Sequence, residues 1–106
     1  MSRHEVTIGL STDNLNRVTV AVRNMTGWKF ESRETPSLGK HDLFRKQKVL
    51  VRYNAVPSRA TWELPDHQDI GVLVIARDTD HPEFFRKLVS KLPFGAKVVR
   101  ERVLSE

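Results

Sequence analysis

The sequence predicts an α+β domain: an antiparallel or mixed β-sheet with one main C-terminal helix set in a β-α-β crossover, a variation on a ferredoxin-like or split βαβ plan. Three observations carry this. Two-residue alternation of apolar and polar side chains recurs through residues 5–64, the period of strands with one wet face. Ile70 to Ala76 is apolar on both faces, as a strand in the sheet interior must be. Phe85, Leu88, Val89 and Leu92 then fall at the spacing of a core-facing helical stripe, and a valine-rich run from Lys97 to Leu104 follows.

The elements follow in order. Val6, Ile8 and Leu10 alternate with Glu5, Thr7 and Gly9, giving a first strand. Ser11-Thr12-Asp13-Asn14 supplies turn chemistry, and Arg17 to Arg23 alternates again through Val18, Val20 and Val22. These two runs predict a β-hairpin. Trp28, Phe30 and Ser32 suggest a third strand beyond a break at Gly27. Pro36, Ser37 and Gly39 mark a loop over 34–39, and Lys40 to Lys46 is assigned one helical turn. Val49, Val51 and Tyr53 alternate, Asn54 to Ser58 reads as a turn, and Ala60, Trp62 and Leu64 form the returning arm. Before the C-terminal helix, Asp80 is expected as N-cap, with Glu83 three residues on and Pro82 in the first turn. Pro93 and Gly95 end that helix.

At 106 residues the chain is expected to be a single domain, 1–106, because two cores would each be too small. It contains no cysteine, which excludes disulfides, zinc–thiolate sites and thiol catalysis. Its longest apolar run, Val72 to Ala76, is far below the roughly 20 residues of a membrane span. No leader-like segment opens the sequence, so a cytoplasmic protein without membrane attachment is expected.

Charge is segregated along the chain. Lys40, Arg45, Lys46, Lys48, Arg52 and Arg59 oppose only Asp42, so residues 40–59 carry +5, as much as the net charge of the whole chain. Residues 60–83 carry −5 and residues 84–106 carry +4. Such a distribution attracts an anionic partner and orients it. Phe44, Tyr53 and Trp62 lie among these cations, the pairing by which single-stranded nucleic acid is held: cations track phosphates while rings stack on bases. Strand alternation places Lys48 and Arg52 on one face with Leu50, and Tyr53 on the other with the valines. The bland alternative is that the rings are core and the cations a solvated face. The same competition holds for Trp28 and Trp62, for which packing against the helix is the expected role. A second set of cations, Arg86, Lys87 and Lys91 on the helix with Arg100 and Arg102 on the last strand, would extend the basic surface if it adjoined the first.

One arrangement suggests catalysis. Asp78-Thr79-Asp80-His81 joins the end of a buried strand to a helix, where two carboxylates and an imidazole could hold a hard divalent cation, with Asp66, His67 and Asp69 nearby in sequence. Helix capping explains the same acids without a ligand. The serines lack a nucleophile elbow, and Leu92 to Lys97 follows a helix instead of opening one, so it is a turn and not a phosphate loop. RNA-recognition, KH and helix-turn-helix patterns are absent, and no motif assigns a family.

The function expected first is therefore a small basic, non-enzymatic binding module for RNA or other single-stranded nucleic acid, without cofactor. Lys40, Arg45, Lys46, Lys48, Arg52 and Arg59 would contact phosphates, and Trp62 would stack. The alternatives are a regulatory or inhibitor module docking on an acidic protein partner, with a homodimer compatible with the charge pattern, and a metal-assisted hydrolase using Asp78, Asp80 and His81.

Overall fold

A computed structural model describes residues 2–56 and 61–105. The strands are β1 (Arg3–Leu10), β2 (Glu31–Thr35), β3 (Gly39–Phe44), β4 (Val49–Tyr53), β5 (Ala55–Val56), β6 (Thr61–Trp62), β7 (Val72–Thr79) and β8 (Lys97–Ser105). Two α-helices, α1 (Leu15–Thr26) and α2 (Pro82–Val89), and a 3-10 turn over Arg45–Gln47 complete the described elements. Six strands form one antiparallel sheet in the order β2-β3-β4-β7-β1-β8, and β5 pairs with β6 in a separate small ribbon. The α+β class is as the sequence predicts.

The expected single C-terminal helix is not what forms, because Leu15 to Thr26 is a second helix and not the arm of a hairpin. Leu15, Val18, Thr19 and Val22 share a buried helical face, while the intervening Val20 is only partly buried. The Asn14 side chain caps the helix by accepting from the Arg17 amide at 3.0 Å. Gly27, at φ 77°, ends it with its amide donating to the Arg23 carbonyl. The sheet order differs from a four-stranded ferredoxin-like plan, since there are six strands: β2 and β3 extend the sheet beyond the inner run β4-β7-β1-β8. β7 and β8 do lie parallel across α2, with β1 inserted antiparallel between them. Lys40 to Phe44, assigned a helical turn from the sequence, belongs to β3; only Arg45–Gln47 turns helically.

Both helices cover one face of the sheet. Val6, Ile8, Leu10, Val49, Val51, Val72, Val74 and Ala76 meet Leu15, Val18, Val22, Phe85, Leu88 and Leu92 there in the main core. Thr19 on α1 donates to the buried Asp42 carboxylate on β3 at 2.5 Å, joining the helix to the outer half of the sheet. The opposite face is half covered. Leu64 and Ile70 fold over Leu50, Leu73 and Ile75, with Leu38, Leu43 and Val99 at the margin. Asn54 fastens this cover. It is fully buried, its amide nitrogen lies 3.3, 3.0 and 3.0 Å from the Leu64, His67 and Ile70 carbonyls, and its oxygen accepts from the Leu64 amide. β7, buried on both sides through Ala76, lies between the two apolar layers as its sequence requires.

Candidate functional site

Register defines the face turned away from the helices, because directly paired residues point to the same side of a sheet. One row across it is Glu31, Leu43, Leu50, Ile75, Thr7 and Arg100. A neighbouring row is Arg33, His41, Arg52, Leu73, Gly9 and Lys97. Paired Glu5 and Arg102 continue it on the other side. Two adjoining depressions mark the part of this face that Leu64 and Ile70 leave uncovered. One, of about 520 Å³, is lined by Leu43, Arg45, Lys48, Arg77, Asp78 and Leu104. The other, of about 190 Å³, is lined by Glu5, Leu38, Leu50, Arg52, Glu63, Ile75, Arg77 and Arg100. Arg77 belongs to both, so they form one trough with five cations against Glu5, Glu63 and Asp78, a surplus of +2.

Carboxylates partner most of these cations. Arg100 donates to Glu63 at 2.9 Å and lies 3.6 Å from Glu5. Arg52 pairs with Glu63 at 3.5 Å and donates from Nε to the Tyr53 carbonyl. It is only 5% exposed, and burial lowers its pKa, with Glu63 opposing that shift and Arg100 adding to it. Lys48 donates to Asp78 at 3.1 Å, and Arg45 reaches Glu31 at 3.4 Å. Glu31 and Asp78 are held below the usual carboxylate range, chiefly by hydrogen bonds from Arg33 and from Arg3 respectively. Arg77 is exposed and has no ion pair among the described residues.

The 40–59 cations are thus only partly gathered. Arg45, Lys48 and Arg52 line the trough. Lys40, opposite Glu34, alternates with them onto the helix side of β3, and Lys46 is exposed in the 3-10 turn. Arg59 lies outside the described residues. Trp62 is 37% exposed, in a hollow with Asp13, Tyr53, Ala55, Gln68 and Gly71. That hollow is at the Tyr53 end of β4, while Lys48 precedes the other end, roughly 17 Å along the strand. The cations of α2 do not join the trough: Arg86 pairs with Glu101, which lies opposite Val6 on the helix-bearing side. Arg100 and Arg102 are on the open face, as their shared strand face implied. Arg77, absent from the sequence-based set, was legible in β7, since it alternates with Leu73 and Ile75. What concealed it was its place in an acidic segment.

The Asp78–His81 segment is disposed differently from a metal centre. Asp78 accepts from Arg3 at 2.7 Å as well as from Lys48, and Asp80 lies 3.7 Å from Arg3 and 3.3 Å from His81. Among the described residues no group of three or more His, Asp or Glu side chains is placed to hold a metal ion. Asp80 is not the helix cap either. His81 occupies that position without a side-chain bond, and its amide donates to the Thr79 hydroxyl at 3.0 Å.

No family model matches this chain, and neither a curated protein nor a solved structure does. Among the described residues no helix is long and apolar enough to cross a membrane.

A second surface lies on the helix side. A cleft of about 620 Å³ is lined by Met25, Thr26, Trp28, Gln47, Thr79, His81, Glu83, Phe84, Phe85 and Lys87. Trp28 stacks on Phe44 with centroids 5.0 Å apart and contacts Phe84 and Phe85, so its role is packing against the helix. Phe84 and Met25 remain 43% and 41% exposed beside it.

Proposed function

We propose that this chain is a non-enzymatic binding module that holds single-stranded nucleic acid, RNA foremost, along the open face of its sheet. The observation that supports this is the trough in which Arg45, Lys48, Arg52, Arg77 and Arg100 share one surface and outnumber its carboxylates. The exposed ion pairs of Arg45 and Lys48 contribute little to stability, so phosphates can displace their carboxylates at small cost, whereas Arg52 and Arg100 are held more deeply against Glu63. Arg77 needs no such exchange. The trough contains no aromatic ring, so binding rests on phosphate contacts and not on a stacking platform. Trp62 sits far enough from Lys48 that only a strand following the length of β4 would reach both.

Fluorescence anisotropy with a labelled uridine-rich RNA across a salt series tests this. Two to five neutralised phosphates give a slope of log affinity against log salt between about −1.4 and −3.5. Absence of binding at low salt removes the proposal.

A second reading, docking on a protein partner, is favoured by the cleft beside Met25, Trp28 and Phe84, an exposed apolar hollow with His81, Glu83 and Lys87 at its margin. A partner that co-purifies after nuclease treatment and is lost in Phe84→Ser would support it. Retention of that partner by the variant would count against this cleft.

A further inference from the structure

The hollow at the Tyr53 end of β4 has the opposite chemistry to the trough. It has a volume of about 190 Å³ and is lined by Asp13, Tyr53, Ala55, Trp62, Gln68 and Gly71. None of those residues is basic, two carry aromatic rings and one a carboxylate. Local structure keeps it open. Ala55 pairs directly with Trp62 in the β5–β6 ribbon, so only a methyl group stands beside the indole on its side of the ribbon. Gly71 is fixed by backbone bonds on both sides: its amide donates to the Leu10 carbonyl at 3.2 Å, and its carbonyl accepts from the Asn54 amide at 2.9 Å. The Asp13 carboxylate packs directly against Gly71, in space that a Cβ there would take. That carboxylate has no ion pair among the described residues.

We propose that this hollow binds a methylated ammonium group, the class of cation carried by choline and by trimethyllysine. Aromatic faces attract cations through the ring quadrupole, and tryptophan does so most strongly. Trp62, at 37% exposure, is the most accessible aromatic ring on this side of the molecule. Asp13 adds a full negative charge to the wall of a recess, where water screens it less than on an open surface. Other ligand classes match this lining less well. A phosphate is repelled by Asp13 and meets no cation in the lining. A primary ammonium is a compact, strongly hydrated charge that would give up its water here for one carboxylate. A neutral apolar group gains burial alone. Methyl groups on nitrogen spread the charge over an apolar surface, so one group meets the rings and the carboxylate together. Asp13 and Tyr53 also border a polar hollow of about 610 Å³ with Thr12, Asn14 and Arg17, which has room for the rest of the ligand. The site stands apart from the RNA reading, since no residue of the trough lines it.

Nuclear magnetic resonance titration of the whole chain with choline tests this. Choline shifts the Trp62 indole N–H resonance, assigned through Trp62→Phe, and leaves that of Trp28 in place. Absence of a choline-dependent shift at Trp62 overturns the proposal. The neutral isostere of choline, with a tert-butyl group in place of trimethylammonium, binds more weakly by about fivefold or more. Equal affinity for the two also overturns it, because the hollow is then merely apolar. Asp13→Asn, nearly isosteric and confirmed as folded by thermal unfolding, lowers choline affinity by about threefold or more, and an unchanged affinity overturns the proposal. Trp62→Leu removes binding, whereas Trp62→Phe, which keeps a ring, retains part of it. A peptide bearing one trimethyllysine, titrated beside free choline, separates the two sources of this cation: the tighter ligand identifies which one the hollow serves.

Discussion

Asn54 shows how much one side chain can decide. The sequence marks it as a turn residue, whereas the structure buries it completely and aims its amide at three carbonyls of the segment that covers the open face. Asn54→Ala would leave the Leu64 amide and the Ile70 carbonyl without this partner, while the Leu64 and His67 carbonyls keep bonds from the His67 and Ile70 amides, at a cost of about 2–4 kcal/mol, read as a lower urea midpoint. Gly71 is constrained as tightly: a Cβ there would overlap the Thr12 carbonyl and the Asp13 side chain. Asp78 gives a pH signature. Its carboxyl is held below the ordinary value of 3.8 by hydrogen bonds from Arg3 and Lys48. A depressed carboxyl stabilises the fold fully above its ordinary pKa and loses that contribution as pH falls through the folded value. Urea denaturation should therefore show Asp78→Asn less stable than the unmodified chain at pH 7, with the two converging below about pH 4.

At the scale of elements, α1 is where local pattern and final structure part. Val18, Val20 and Val22 satisfy a period of two, and β-branched residues favour strands. Leu15, Val18, Thr19 and Val22 equally satisfy a helical face, and the Asn14 and Gly27 caps agree with the helix. The decision is tertiary: as a helix this segment buries its face on the β1, β4 and β7 valines and brings Thr19 to Asp42. Thr19→Val keeps the shape but removes the donor to a buried carboxylate, and should destabilise by about 1–3 kcal/mol, while Thr19→Ser should recover most of that in thermal unfolding. β7 and α2 were legible because each carries one unambiguous period. β2 and β3 were less so, since their exposed polar residues mask the strand pattern and Pro36 to Leu38 proves to be a tight hairpin connection.

For the whole molecule, the question is which cations act together. The run from 40 to 59 is compact in sequence, but the sheet separates it, placing Arg45, Lys48 and Arg52 in the trough and leaving Lys40 on the helix side of β3. In exchange, the fold brings in Arg77 from an acidic segment and Arg100 from the last strand. Charge reversal distinguishes the two sets. Arg77→Glu combined with Lys48→Glu should weaken RNA binding at least tenfold at low salt and flatten its salt slope by about 1.4, at 0.7 per lost phosphate contact. Lys40→Glu, away from the trough, should change affinity less than threefold. The reverse ranking would return the site to the contiguous 40–59 segment.

The α+β class, the doubly buried β7, the apolar stripe of α2 and the segregation of charge were all determined by the sequence alone, because each depends on a local period or on composition. Tertiary structure alone decided that 15–26 is helical, that Asn54 anchors a cover over half the open face, and that Arg77 and Arg100 join Arg52 around one depression. Those outcomes depend on which distant side chains share a face. Register, set by six strands pairing out of chain order, determines that, and no run of neighbouring residues contains it.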